Sequence, residues 1–312
     1  MRLRSLIFSW RIKIRPGADS NARLKDDYLS FAFCILHFFD AAKKIVERMI
    51  FSSESLIPGV QPIATSDSGE VVSFTTSKRP FLDGGESLAT SDCLFPIELY
   101  SDYVPNVDRL TIFLPGNPGA GKSYYASQLI QRLPLNTQIL LFTSLSEFDS
   151  NFEPFRSRIN KVRMVPEVLK KINVRSIRER IPRDSDVVAV FDDIDKISDK
   201  KQSKLVFSIL EDLLANGRIH DKRKGVRGNI HVIATTHSLN DWLKTKYLTE
   251  NCNYVGLFPQ STTHIQLERL LSKLGLGKDM CKIIKDTGER VVVVHKTAPM
   301  FIMAGSSICL IN

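Results

Sequence analysis

The stretch TIFLPGNPGAGKSYYASQLIQRL, residues 111–133, runs from strand-type apolar residues into a glycine-rich turn that closes on Lys-Ser. Apolar residues at helical spacing follow, and Pro134 stops them. Gly116, Asn117, Pro118, Gly119, Ala120, Gly121, Lys122 and Ser123 match G-x-x-x-x-G-K-[ST] in full. Glycines let the backbone curl so that successive N–H groups converge on phosphate oxygens. The helix that starts there adds its positive end. Lys122 is placed to reach the β- and γ-phosphates, and the Ser123 hydroxyl to ligate Mg²⁺. Gly116 to Ser123, with Tyr124 after them, are the expected ATP contacts.

A nucleotide loop of this kind needs a metal-holding acid. VVAVFDDID, residues 187–195, supplies one: an apolar strand that ends in Asp192 and Asp193. In a parallel sheet the carboxyl ends of the strands open onto the ligand crevice. Asp192 is the expected Mg²⁺ acid. Asp193 follows it and would orient or deprotonate an attacking water. Asp195 reads as a cap for the next segment. A small-molecule kinase needs no second acid beside the first, so the doublet points to hydrolysis.

IHVIATT (230–236) is a further apolar strand, ending in Thr235-Thr236-His237. His237 there reads either as a γ-phosphate or water contact, or as part of a helix start capped by Thr236 or Ser238. KQSKLVFSILEDLLANG (201–217) repeats apolar residues at Leu205, Ile209 and Leu213, with Gly217 placed to end a helix. Arg218 follows. It reads as an arginine finger toward a neighbouring subunit, or as a solvated arginine suited to a helix C-terminus.

QILLFT (138–143) and YVGLF (254–258) complete a set of short, fully apolar strands separated by helices, the mark of a parallel sheet covered on both faces. RVVVVH (290–295) and FIMAGSSICLI (301–311) read as antiparallel strands closing one edge, with Gly305-Ser306-Ser307 as their turn. The expected fold is therefore α/β, a P-loop NTPase with a mainly parallel sheet covered by helices. Residues 106–312 form the P-loop ATPase domain and residues 1–105 an N-terminal extension. That extension carries a basic leader (1–17), an apolar helix (28–39) too short to span a bilayer, and a Ser/Gly/Pro-rich linker or small β-containing piece with EVVSFTT at 70–76.

Across 312 residues, 43 Lys plus Arg against 34 Asp plus Glu leave a net charge of +9, which favours polyanionic partners, nucleic acid first. The five cysteines, Cys34, Cys93, Cys252, Cys281 and Cys309, show no C-x-x-C pair and argue against a zinc site or a disulfide framework. HDKRKGVRG (220–228) is a basic loop suited to phosphates or simply solvated; the basic stretch 156–183 reads as solvated.

FLPGNPGAGKS, VVAVFDDID, NGRIH and IHVIATTHSLNDW, continued by NYVGLFPQSTTHIQLERLLSKLGL and ERVVVVHKTAPMFIMAGSSICLI, together resemble the poxvirus-type genome-packaging ATPases of large double-stranded DNA viruses and Polinton/Maverick elements, within the FtsK–HerA superfamily. The resemblance covers residues 107–312. It places the nucleotide loop on Gly116 to Ser123, the acids on Asp192 and Asp193, the Gly-Arg element on Gly217-Arg218, the polar strand end on Thr236-His237 and a late arginine on Arg290. Departures are His237 where many relatives carry Gln, Asp193 where many carry Glu, and Val291 where an aromatic is common. The resemblance implies a RecA-like sheet, ATP and Mg²⁺ as cofactors, and a homo-oligomeric ring that drives double-stranded DNA into a capsid without reading its sequence. It also implies contact with a capsid protein, and a place in the virion or a cytoplasmic virus factory. In that setting Lys122, Asp193, Arg218 and His237 carry catalysis. The competing readings are a P-loop phosphotransferase on a small acceptor and a relative that binds ATP without hydrolysing it.

Overall fold

The computed structural model describes residues 49–51, 60–67, 71–75, 87–89, 93–96, 109–180, 185–218, 229–237, 242–297 and 300–311. The basic leader, the apolar run 28–39, the basic loop 220–228 and Ser238 lie outside the described residues.

Fourteen strands and seven α-helices are described. The strands are β1 (Met49–Phe51), β2 (Val60–Ser66), β3 (Val71–Thr75), β4 (Ser87–Ala89), β5 (Leu94–Pro96), β6 (Thr111–Pro115), β7 (Gln138–Thr143), β8 (Ile159–Lys161), β9 (Val187–Asp192), β10 (Ile230–Thr236), β11 (Tyr254–Leu257), β12 (Val292–His295), β13 (Met300–Ala304) and β14 (Ser307–Ile311). The helices are α1 (Lys122–Gln131), α2 (Pro166–Leu169), α3 (Val174–Arg180), α4 (Lys200–Asn216), α5 (Trp242–Asn251), α6 (His264–Lys273) and α7 (Lys278–Asp286).

Ten strands form one sheet in the order β4-β14-β13-β12-β11-β6-β10-β9-β7-β8. From β8 across to β11 every pairing is parallel; from β11 to β4 every pairing is antiparallel. The fold is thus the mainly parallel P-loop NTPase sheet with an antiparallel C-terminal side that the sequence predicts. Its outermost antiparallel strand is β4, drawn from residues 87–89.

Side chains on the central strands alternate between two cores, as the two-residue period of a strand requires. Phe113, Val187, Ala189, Phe191, Val232 and Ala234 face one side, where α4 supplies Val206, Ile209, Leu210 and Leu213 and α6 supplies Leu267, Leu270 and Leu271. Ile112, Leu114, Val188, Val190 and Ile233 face the other, against Ala126, Leu129 and Ile130 of α1. On this second side a four-stranded sheet, β1-β3-β2-β5, adds Ile63, Ala64, Val72 and Phe95. Arg132, just past α1, lies 3.4 Å over the Phe95 ring and pairs with Asp67.

Two details anchor the framework. Phe142 of β7 and Phe191 of β9 stand in register and stack with centroids 4.4 Å apart, a contact worth about 1 kcal/mol beyond its buried area. Gly217 ends α4, as its sequence position suggests, but its φ of −69° is right-handed. The reason for glycine lies in the packing. Arg109, buried, donates to the carbonyls of Leu213 and Leu214 at the end of α4, and a Cβ on Gly217 would stand 1.9 Å from its Nη1.

Candidate nucleotide site

The P-loop strand β6 and the acid-bearing strand β9 are not neighbours; β10 lies between them. All three end on the same side because all are parallel. Two inter-strand steps of about 4.8 Å separate the loop from the acids, a gap that a lysine side chain closes. Lys122 Nζ lies 3.9 Å from Asp193 Oδ1. It also donates to the carbonyls of Gly116 (2.9 Å) and Asn117 (3.2 Å). Burial lowers the Lys122 pKa, and Asp193, Asp195 and Asp192 work against that effect.

The interposed strand supplies Thr235, which sequence reading noticed only as part of a polar strand end. Its hydroxyl lies 3.2 Å from Asp192 Oδ1 and 3.3 Å from Asp193 Oδ1, and it accepts the Asp193 N–H at 2.8 Å. On the other flank Thr143, at the end of β7, reaches Asp192 Oδ2 at 3.4 Å. Both hydroxyls come from the carboxyl ends of the two strands paired with β9. A threonine at or next to the end of each strand that flanks an acid-bearing one is the signal that could have found them.

Asp192 is buried. Burial, then the neighbouring Asp193 charge, pushes its carboxyl up to about 6. A cation would reverse both effects. The oxygen donors around it, two carboxylates with the Thr143 and Thr235 hydroxyls, suit a hard ion such as Mg²⁺ that keeps water and takes substrate phosphates. Among the described residues no group of three or more His, Cys, Asp or Glu could hold a metal ion.

Asp193 has φ 48°, the one non-glycine residue with positive φ among the described residues. Left-handed backbone costs a non-glycine residue about 1–2 kcal/mol. The conformation turns the carboxylate toward Lys122 and toward His237, whose Nε2 donates to Asp193 Oδ2. That bond makes Nε2 the protonated nitrogen. His237 Nδ1 is buried and meets no hydrogen-bonding group of the described chain. Asp195 does not cap the next helix, contrary to the sequence expectation: its carboxylate accepts the His237 backbone N–H at 3.0 and 3.1 Å. The cap of α4 is Asp199, which accepts from Gln202 N. Thr236 is a buried strand residue rather than a helix cap, and its carbonyl accepts the N–H of Gly116 at 3.0 Å.

The loop itself is gripped from both sides. Phe258, after β11, touches Gly116, where a Cβ would meet its ring at 3.0 Å. Asn117 Nδ2 donates to Ser261 O at 2.7 Å. Gly119 and Gly121 have φ 76° and 101°, which only glycine adopts without strain. Arg290 covers Gly121: a Cβ there would stand 2.8 Å from Arg290 Nε. Its guanidinium lies 5.7 Å from the centroid of the half-exposed Tyr124 ring. Pro118 is exposed and Ala120 buried beneath the loop.

The chain therefore brings together Lys122, Asp192, Asp193, His237 and the 116–124 loop, with Arg290 beside them. Arg218 is not among them. It follows α4 at the amino end of β10, where Ile230 N bonds to Gly217 O, and its own carbonyl accepts from Arg178.

Residues 112–252 match the family model for the ATPase family associated with various cellular activities (AAA); the chain carries a P-loop ATPase domain. Uncharacterized protein V3 of Sputnik virophage is 24% identical over 230 residues, which span 72% of this chain and 86% of that protein. Among solved structures, the pCW3 conjugation coupling protein TcpA, in monomer form with ATPγS, is similar at TM-score 0.40 and 11% identity, covering 92% of this chain and 94% of that one. The cytoplasmic domain of the Thermomonospora curvata type VII secretion ATPase EccC is similar at TM-score 0.39 and 12% identity, covering 80% of this chain and 28% of that one. No helix among the described residues is long and apolar enough to cross a membrane.

Proposed function

We propose that this chain hydrolyses ATP to translocate double-stranded DNA, and that the work it does is packaging of viral DNA into a capsid by a homo-oligomeric ring. The observation that carries the hydrolytic part is the placement of Asp193, 3.9 Å from Lys122 and bonded to His237. A phosphotransferase that passes the γ-phosphoryl group to a bound acceptor has no water to prime, so a second carboxylate directly after the metal acid favours hydrolysis. The basic balance of +9 and the motif resemblance support DNA as the partner, and the virophage relative supports a viral setting.

In this reading the amides of the 116–123 loop and the start of α1 hold the triphosphate, and Lys122 exchanges its carbonyl contacts for β- and γ-phosphate oxygens. Ser123 and Asp192 would hold Mg²⁺, which when bound would supply positive charge against the phosphate oxygens. Asp193 accepts a hydrogen bond from the attacking water and draws off its proton. His237 fixes the direction of that carboxylate, and Thr235 ties both acids to β10. Arg218 acts on the nucleotide of an adjacent subunit, since its own site is out of reach.

The test is phosphate release by the full chain with and without long duplex DNA. Stimulation by duplex, abolished by Lys122→Ala and by Asp193→Asn, is the expected result. Transfer of labelled γ-phosphate to a nucleoside or polyol would replace the reading with a kinase. Tight ATP binding with no turnover under either condition would leave a nucleotide-binding protein.

A further inference from the structure

Beside the nucleotide site, where β7, β8 and β9 end, lies a second opening of about 750 Å³. Among the described residues its wall includes Lys161, Arg163 and Lys196 and no aspartate or glutamate. Each cation has a defined place. Lys161 is the last residue of β8, and Arg163 follows two positions on. Lys196 closes the 3₁₀ turn Ile194–Lys196, which begins directly after Asp193. Lys161 Nζ donates to the carbonyls of Leu145 (2.6 Å) and Ser146 (2.8 Å) and lies 5.6 Å from the centroid of the Phe148 ring. Neither Arg163 nor Lys196 forms an ion pair with any described residue, and both are exposed.

Three like charges gathered around one cleft, with no counter-charge among the described residues of its lining, repel one another. The arrangement is stabilised when an anion enters. The remaining polar wall, Ser144, Ser198 and Gln202, offers neutral donors of the kind that bind phosphate oxygens. Leu145 and Val165 are exposed at 47% and 42%, apolar surface of the sort that lies against sugars. We infer that this cleft binds the phosphate backbone of nucleic acid, as a site separate from the nucleotide loop. The inference rests on the DNA-translocase reading and gives it a location.

The cleft also has a direct line to the chemistry. Thr143 forms part of its wall, accepts the Leu145 N–H at 3.2 Å, and bonds Asp192 at 3.4 Å. Lys196 is near enough that its charge opposes that of Lys122. A polyanion drawn into the cleft pulls on the 144–146 loop through Lys161 and on the acid-bearing turn through Lys196. Occupancy of the cleft is thereby coupled to the position of Asp192 and Asp193.

The experiment measures duplex binding by fluorescence anisotropy over a salt series, and phosphate release with and without duplex, on the full chain. Lys161→Ala with Arg163→Ala should lower duplex affinity about tenfold or more and make the log–log salt slope shallower by about 2, one step of ~0.9 for each lost phosphate contact. Basal phosphate release should persist and its stimulation by duplex should fall. Arg163→Glu alone, at an exposed position that anchors no loop, should reproduce the effect if Lys161→Ala disturbs folding. Lys170→Ala with Lys171→Ala, on an exposed turn elsewhere, removes the same charge and should change neither quantity. Wild-type affinity and slope in the cleft variants, or equal losses in the Lys170/Lys171 control, would overturn the inference while leaving the translocase reading intact. So would loss of poly-glutamate binding with duplex binding unchanged, which would mark an acidic-peptide site. A wild-type chain that binds no duplex even at low salt would overturn the reading and the inference together.

Discussion

His237 holds Asp193 through Nε2, and Asp193 reaches that bond only because its backbone turns left-handed at φ 48°. Sparsely populated backbone conformations cluster at functional sites, and here one turns a carboxylate that a histidine then holds in place. Replacing His237 with alanine is expected to free the carboxylate without touching the phosphate cradle. Turnover should then drop about 10²–10⁴-fold, the range for a lost general base, while ATPγS affinity stays within a few-fold of wild type. Parallel loss of affinity and turnover would show instead that His237 supports the loop.

Asp192 makes the metal-free protein less stable than it need be. Its folded pKa is raised from 3.8 to about 6, so between these values the native state binds more protons than the unfolded chain. Stability therefore falls as pH rises through that window and stays low above it. The shift corresponds to roughly 3 kcal/mol. In magnesium-free buffer at pH 7.5 or so, Asp192→Asn is expected to unfold at higher denaturant than wild type, with the gain vanishing near pH 4. Mg²⁺ with ATPγS should stabilise wild type and do little for the variant. A variant no more stable than wild type at neutral pH would count against an uncompensated carboxylate in this site.

Gly217→Ala tests packing rather than backbone freedom. The added methyl would meet Arg109 Nη1 at 1.9 Å and the Leu213 carbonyl at 2.5 Å, and buried Arg109 has little room to retreat. A loss of about 1–3 kcal/mol is expected, read as a lower denaturation midpoint with nucleotide affinity kept by the folded protein. Gly119→Ala should do the reverse. No atom of the described residues beyond its chain neighbours lies within 4 Å of the new methyl, but φ is 76°, so the cost falls on the phosphate loop. Equal midpoints for Gly217→Ala and wild type would mean that Arg109 is not fixed where it stands.

How far sequence reaches can be judged from these same residues. β7 and β10 were legible to the residue, because each is a short, mainly apolar β-former run bounded by polar turns. The P-loop was legible because its spacing encodes its geometry. Thr143 and Thr235 were not. A threonine ending a buried strand reads as a β-former, and only the order β10-β9-β7 sets both against Asp192. The same holds for Asp195, whose partner His237 is 42 positions away. The basic stretch 156–183 read as solvated because a charge run shows no cleft until β8 is laid beside β7. β4 was hidden for a similar reason: its partner β14 lies at the other end of the chain.

Arg290 and Arg218 separate by the site each can serve. Arg290 lies in its own subunit's loop, with Nε 3.4 Å from the Ala120 carbonyl. Arg218 follows the 17 residues of α4, which carry the chain about 25 Å away from the Asp193 turn at 1.5 Å per residue. If rings form, mixing subunits tells the two apart. An Arg218→Ala subunit keeps a complete loop and lacks only what it offers its neighbour; a Lys122→Ala subunit has a dead loop and an intact Arg218. Mixed rings of these two are expected to recover part of the phosphate release that either alone lacks. Arg290→Ala damages the loop it sits on, so mixing it with Lys122→Ala leaves every loop defective and should recover nothing. Recovery with Arg290→Ala would place that arginine in trans, and no recovery with Arg218→Ala at any ratio would remove Arg218 from the mechanism.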